Sequence, residues 1–203
     1  MANTVTFRDF EERDIDFIYK CKNDEKLNSM IVGQFKPFSY DDAVKWVHGC
    51  MGEHEAFKFW AIATNDEEQR IVGWTALSQI DNVNKSAFFY SIVIGDSNYR
   101  NGIPWIEVQQ FIIGYAFEIL NINRLEFSCL CEHPSSMSIG PVMFFKQEGI
   151  KRQAIFKNGI YYDEAYFSLL HDEYYEHKEK GEYDFMSIVE RYSSFSRKGQ
   201  IKK

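Results

Sequence analysis

Apolar and polar positions first alternate at the start of the chain, where Val5 and Phe7 are set against Thr4 and Thr6, and this predicts a short opening strand. The period then lengthens. Ile15, Ile18 and Tyr19 recur at helical spacing, and so do Ala43, Trp46 and Val47, behind Ser39 as N-cap and acids in the first turn. Two short helices are therefore expected. Three strands follow, FKFWAIAT, RIVGWTALSQI and SAFFYSIVIG, joined by the polar turns NDEEQ and DNVNK as an antiparallel meander. In the first of them Phe57, Phe59, Ala61 and Ala63 alternate with Lys58, Trp60, Ile62 and Thr64. The third is apolar on both faces near its end, the mark of a central strand. Next comes a long amphipathic helix carrying Trp105, Val108, Ile112, Tyr115, Ala116 and Ile119, with Pro104 in its first turn. RLEFSCLC reads as a strand, and SIGPVMFFKQEG as a helix running from Pro141 to Gly149. RQAIFKNGIYYDEAYFSLL reads as two strands turned at Asn158-Gly159. HDEYYEHKEKGEYDFMSIVERY predicts one or two appended helices, with Phe185, Ile188, Val189 and Tyr192 as a packing stripe.

Strand, two helices, three strands, helix, strand, helix, two strands: this order predicts a mixed α/β fold. The strand–helix–strand unit from Ser86 to Cys131 should make its two strands parallel by a right-handed crossover. A ligand then sits beyond the C-terminal ends of those strands, where the helix begins. Tyr99 to Trp105 is placed at that mouth.

Composition narrows the picture. With 203 residues, 45% hydrophobic and 17% aromatic, the chain suits one folded domain and not a second. A net charge of −7 with no basic stripe argues against nucleic acid as partner. No apolar run nears the ~18 residues of a membrane helix. The first residues lack a signal-peptide layout, so a soluble, cytoplasmic protein is expected. The end, SSFSRKGQIKK, reads as a solvated basic tail. Cys21, Cys50, Cys129 and Cys131 read as packed small hydrophobes, and the five histidines are scattered, so no metal is predicted.

Several stretches carry more specific wording: NDEKL followed by PFSYDDAVKWV, IVGWTAL, YR with Val108 eight positions on, YAFEILNINRLEF, FFKQEGI and AIFKNGIYYDEAYFSLL. From about Phe7 to Glu173 these resemble the GNAT superfamily of acyl-CoA-dependent N-acyltransferases, in particular the branch that includes ribosomal-protein N-terminal acetyltransferases. The resemblance implies a central, mostly antiparallel sheet of about seven strands with one splayed parallel pair, flanked by helices. It implies an acyltransferase domain over residues 1–175, leaving 176–203 as a C-terminal helical extension and basic tail.

It also implies acetyl-CoA as co-substrate, and here the sequence departs from the family twice. The family's turn, Arg-Gly-x-Gly-x-Gly or Ala, offers backbone N–H groups to the CoA diphosphate at the positive end of a helix. An ungapped alignment through Tyr99, Arg100 and Tyr115-Ala116-Phe117 puts the three small positions on Asn101, Ile103 and Trp105, with Gly102 out of phase. Asn tolerates positive φ, Ile resists it, and Trp fills space. Two readings stay open. The turn is rebuilt around Gly102 and Pro104 and still meets the anion, or Trp105 occupies the pocket and the cofactor binds weakly or not at all. Trp105 as the first core residue of its helix fits either. Downstream, the family's Asn, small residue and Tyr fall on Ser138, Pro141 and Phe145. Phe145 cannot protonate a departing thiolate, an aid of about 10²–10⁴ in rate, so transfer would rest on positioning.

The remaining implied site is backbone: N–H groups of Ile92, Val93 and Ile94 exposed where the parallel pair splays. Arg100, Asn101, Gly102, Ile103, Trp105 and Ser138 complete the expected cofactor contacts. Glu132 and His133 end a strand beside the mouth and are eligible as general base, or are plain loop residues. Tyr90 would relay a proton or pack in the core. Asp163 and Glu107 match usual positions, Asp163 for structure or substrate orientation and Glu107 for its helix end. The expected activity is transfer of an acetyl group to a primary amine of a small molecule, amino sugar or protein N-terminus, by a monomer or homodimer without a membrane partner. The acidic balance mildly favours a cationic acceptor, and Phe35, Phe38, Trp46, Trp60 and Trp74 would suit a flat-walled pocket or the core. From another class, the alternative is a degenerate GNAT-fold module that binds without catalysis.

Overall fold

The computed structural model describes residues 4–29, 31 and 35–200. Seven strands, β1 (Val5–Arg8), β2 (Lys58–Thr64), β3 (Ile71–Asp81), β4 (Ser86–Ile94), β5 (Arg124–Leu130), β6 (Lys146–Lys157) and β7 (Ile160–Leu170), form one sheet in the order β1-β2-β3-β4-β5-β7-β6. Every neighbouring pair is antiparallel except β4 and β5. The sheet is the one the resemblance implies. Helices α1 (Ile15–Lys22), α2 (Glu25–Asn28) and α3 (Tyr40–Cys50) follow β1, and α4 (Ile103–Gly114) bridges β4 to β5. The short helices α5 (Pro134–Met137) and α6 (Ile139–Met143) precede β6, while α7 (His171–Glu179) and α8 (Phe185–Gln200) follow β7.

Helices cover both faces, and the strands show it. Ala61 packs with Ile18, Val47 and Trp74 on the α1/α3 side, while its neighbours Trp60 and Ile62 join Phe117, Leu125 and Phe127 on the α4 side. Both alternating sets of β2 are thus buried, each in its own core. Ser39 caps α3 as expected, accepting from Asp42 N–H while the Asp42 side chain reaches back.

The chain leaves its hydrophobic period in two places. Beyond Gly114, α4 runs into a π turn, Tyr115–Ile119, whose wider winding shifts the phase of the helix. Tyr115 packs on Trp60 and Phe117 on Tyr174, but Ile119, expected on the buried stripe, is 66% exposed. The helix expected from Pro141 to Gly149 ends at Met143. Phe144 adopts φ +64° and stacks on His177, whereas Phe145 turns into the core against Phe127. Adjacent rings anchored on different sides cannot share a helix face, so the chain unwinds and Lys146 opens β6.

Glu107 has a structural task in the described chain. Its carboxylate accepts from Thr4 N–H, Thr4 Oγ1 and Val5 N–H at 2.8, 2.7 and 3.1 Å, tying the edge strand β1 to α4. Glu107→Gln removes one acceptor oxygen and offers a donor to groups that already donate. The expected loss is about 1–3 kcal/mol of stability, seen as a thermal midpoint several degrees lower. An unchanged midpoint would show that this tie holds nothing.

Candidate acyl-transfer site

The site grows from a failure of pairing. β4 and β5 pair only from Ser86, Ala87 and Phe88 to Arg124, Leu125 and Glu126, and beyond that β5 bonds only to β7. β4 stays on β3 but carries a bulge: Phe89 faces Leu77 and Ser91 faces Ala76, leaving Tyr90 as the extra residue. A bulge re-aims its side chain, and Tyr90, which core packing would have buried, is 61% exposed beside the gap. Past the bulge the phase is fixed by Gly95 N–H, which donates to Val72 O at 2.9 Å. By the alternation of an antiparallel ladder, Ser91 and Val93 turn their backbone groups toward β3, while Ile92 and Ile94 turn theirs to the gap. Of the three amides expected at the acyl group, those of Ile92 and Ile94 turn to the gap and that of Val93 turns to β3.

Two cavities meet in the gap. One, of about 400 Å³, lies on the α1/α3 side, with Lys22, Trp46, Phe59 and Trp74 on its walls; the other, about 130 Å³, lies toward α4, with Trp105, Ser135 and Ile139. Tyr90, Ser91, Ile92, Ser128, His133 and Ser136 line both, so the two halves are joined through the sheet. Ser91 Oγ is buried there with no hydrogen-bond partner among the described residues, a hydroxyl left for a ligand. Burial pushes the His133 pKa down from its ordinary value, favouring the neutral ring. Its Nδ1 accepts from Ser136 N–H at 3.4 Å, which places the proton of that neutral ring on Nε2. His133 therefore presents a donor.

Other expected residues stand elsewhere. Glu132 lines neither cavity. Ser138 is buried, with its hydroxyl donating to Ser135 O at 2.6 Å. Asp163 Oδ1 accepts from Gln153 N–H at 2.7 Å within an irregular stretch of the β6/β7 pairing. Phe145 is in the core.

The turn before α4 is reworked. Gly102 takes φ +92° as N-cap, so the glycine serves the helix start. Asn101 Oδ1 accepts from Ile103 N–H at 3.1 Å, and Pro104 has no N–H. Arg100 folds back, its Nε donating to Ile94 O at 2.8 Å and its Nη2 to Gly95 O at 2.7 Å. The first-turn donors are therefore fewer than an anion site would offer. Over the turn lies a residue the sequence suggested only as packing. The Tyr192 ring of α8 packs on Trp105 at 5.1 Å between centroids and sits against Gly102. Its helix is held by Ile188 in the core and by Arg191, whose Nε donates to Val142 O of α6 at 3.0 Å. α8 thus bridges α4 and α6.

The far side of the larger cavity is tied down by Lys157. Its Nζ, on a side chain almost wholly buried, donates to Asn28 O at 2.9 Å and Ile31 O at 2.6 Å. Both residues line the cavity.

Residues 4–140 match the family model described as Acetyltransferase (GNAT) domain. The uncharacterized N-acetyltransferase YoaA of Bacillus subtilis (strain 168) is 23% identical over 173 residues, covering 83% of this chain and 94% of its own. The uncharacterized N-acetyltransferase p20 of Bacillus licheniformis is 27% identical over 172 residues, covering 84% and 94%. Among solved structures, spermidine N-acetyltransferase from Vibrio cholerae in complex with CoA and spermine superposes with a TM-score of 0.73 at 22% identity, over 85% of this chain and 98% of that one. That likeness is one of fold.

Proposed function

The chain belongs to the GNAT acetyltransferase family, and on that premise we propose that it moves an acetyl group from acetyl-CoA to a primary amine of a small molecule or peptide. One observation carries the reading: the splayed gap joins a larger and a smaller cavity through the sheet, and Ile92, whose backbone has left β5, lines both. The residues fit the thioester end of the co-substrate, which would bring an activated acetyl group. The gap would take the arm, the amides of Ile92 and Ile94 would donate to the acetyl oxygen, and Ser91 Oγ and His133 Nε2–H would add donors nearby. No carboxylate lines the cavities. Tyr90 is then the group on the wall able to pass an amine proton to water, and the rest of the catalysis is positioning.

The test is free-thiol release from acetyl-CoA with and without a panel of amines, run beside calorimetry with CoA. Amine-dependent release supports transfer. A second reading has its own observation, since the turn before α4 is short of donors and lies under Tyr192. CoA bound without amine-dependent release would favour that degenerate binding module, and no CoA binding at all would sink both.

A further inference from the structure

The larger cavity already holds a cation. Lys22, in the last turn of α1, places its Nζ 4.6 Å from the Trp46 ring centroid and 5.3 Å from that of Trp74. The next residue fixes its position: Asn23 Nδ2 donates to Phe38 O at 2.9 Å, and Phe38 N–H donates to Asn23 Oδ1 at 3.0 Å. The ammonium has no ion pair and no hydrogen bond among the described residues, and every Asp and Glu of the chain is among them. Burial pulls the Lys22 pKa down from its ordinary value, and no carboxylate stands near to oppose that. Glu164 is bonded to the wall residue Ser128 without lining either cavity: it accepts from Ser128 Oγ at 2.7 Å and from Tyr166 OH at 2.8 Å. Two indole faces partly offset the desolvation of the ammonium, but its strongest kind of partner, an anionic oxygen, is missing. The net charge of the chain favours a cationic acceptor; the walls of this cavity oppose one.

We propose that the acceptor carries an anionic group, a carboxylate or a phosphate, on a flat apolar body, with Lys22 pairing the anion between Trp46 and Trp74. This rests on reading the larger cavity as the acceptor side. The amine is then the end directed to the gap, and the Lys22 charge disfavours bound polyamines, whose several cations would find no carboxylate on the walls.

Calorimetry with para-(aminomethyl)benzoate, its neutral carboxamide and spermidine tests this on the native chain, Lys22→Met and Lys22→Glu. Methionine keeps the stem over the indoles, and circular dichroism checks that each variant folds. The native chain should bind the benzoate roughly tenfold or more tighter than the carboxamide. Lys22→Met should erase that ratio while leaving the carboxamide unchanged, and Lys22→Glu should lose the benzoate and gain spermidine. A carboxamide bound as well as the benzoate, a ratio untouched in Lys22→Met, or spermidine preferred by the native chain overturns the proposal. Thiol release is read separately. The expected binding pattern without acetyl transfer would leave the anion subsite standing and remove the enzymatic reading, while transfer preferring spermidine would do the reverse.

Discussion

Tyr192→Ala should bind CoA between about two and ten times more tightly than the native chain. The Tyr192 ring lies on Trp105 and against Gly102, over the N-terminus of α4. On this reading a diphosphate that docks on the donors left at that turn has to displace the ring. An aromatic pair of this kind is worth ~0.5–1.5 kcal/mol beyond its buried area, and a ligand that must first break it loses that much affinity. Alanine removes the ring and leaves Ile188 and Arg191 to hold α8. Calorimetry on the native chain, Tyr192→Ala and Trp105→Ala reads the effect directly. Equal affinity in Tyr192→Ala would mean that CoA reaches the gap without passing the turn. Weaker binding would make Tyr192 part of the site and not its cover.

Gly73→Ala is expected to do more damage than any change of similar size on the surface. Gly73 faces Ile94 across the β3/β4 pair, and a Cβ there would overlap the Val93 carbonyl oxygen and come within 3.1 Å of Ile94 Cα. Both obstacles are backbone, so β4 itself would have to retreat. Overpacking of this kind costs about 1–3 kcal/mol, occasionally more. The functional effect should exceed the loss of stability, because the displaced stretch carries the amides of Ile92 and Ile94. A shift of about 1 Å in a reacting geometry is enough for roughly a hundredfold in rate. Thermal melts and kcat on the folded fraction separate the two effects. Gly49→Ala is the control, since nothing lies within 4 Å of its Cβ. A Gly73→Ala protein with native melting and native kcat would show that β4 has slack where the geometry allows none.

The sheet was legible because its turns are local: NDEEQ and DNVNK separate strands whose alternation needs no knowledge of their neighbours. Asn158-Gly159 worked for the same reason. What stayed hidden depends on contacts between distant parts of the chain. Tyr90 looked like a core residue because its strand is apolar on both faces, and only the register against β3 reveals the bulge that turns it outward. Ile119 kept its helical spacing on paper, but the π turn shifted the phase beneath it. Phe144 and Phe145 read as part of one helix until their partners, His177 and Phe127, set them on different sides. At the site, the altered turn was visible in Asn101, Ile103 and Trp105, yet its cover was not, since Tyr192 offered only a packing stripe. Lys22 gave still less signal. A lysine in the last turn of a helix is ordinary, and the two indoles that enclose it come from α3 and β3.

Lys157 holds Asn28 and Ile31 by their carbonyl oxygens, and a carbonyl is the same in every residue. The anchor is therefore indifferent to spelling. The side chain at position 31 can be rewritten by mutation while the cavity wall keeps its distance from the gap, whereas the Asn28 amide is itself part of the frame, donating to Cys21 O and Asp24 O at 2.8 and 2.7 Å. A lineage carrying this lysine could change what its larger cavity accepts one letter at a time, without first losing the frame that positions it.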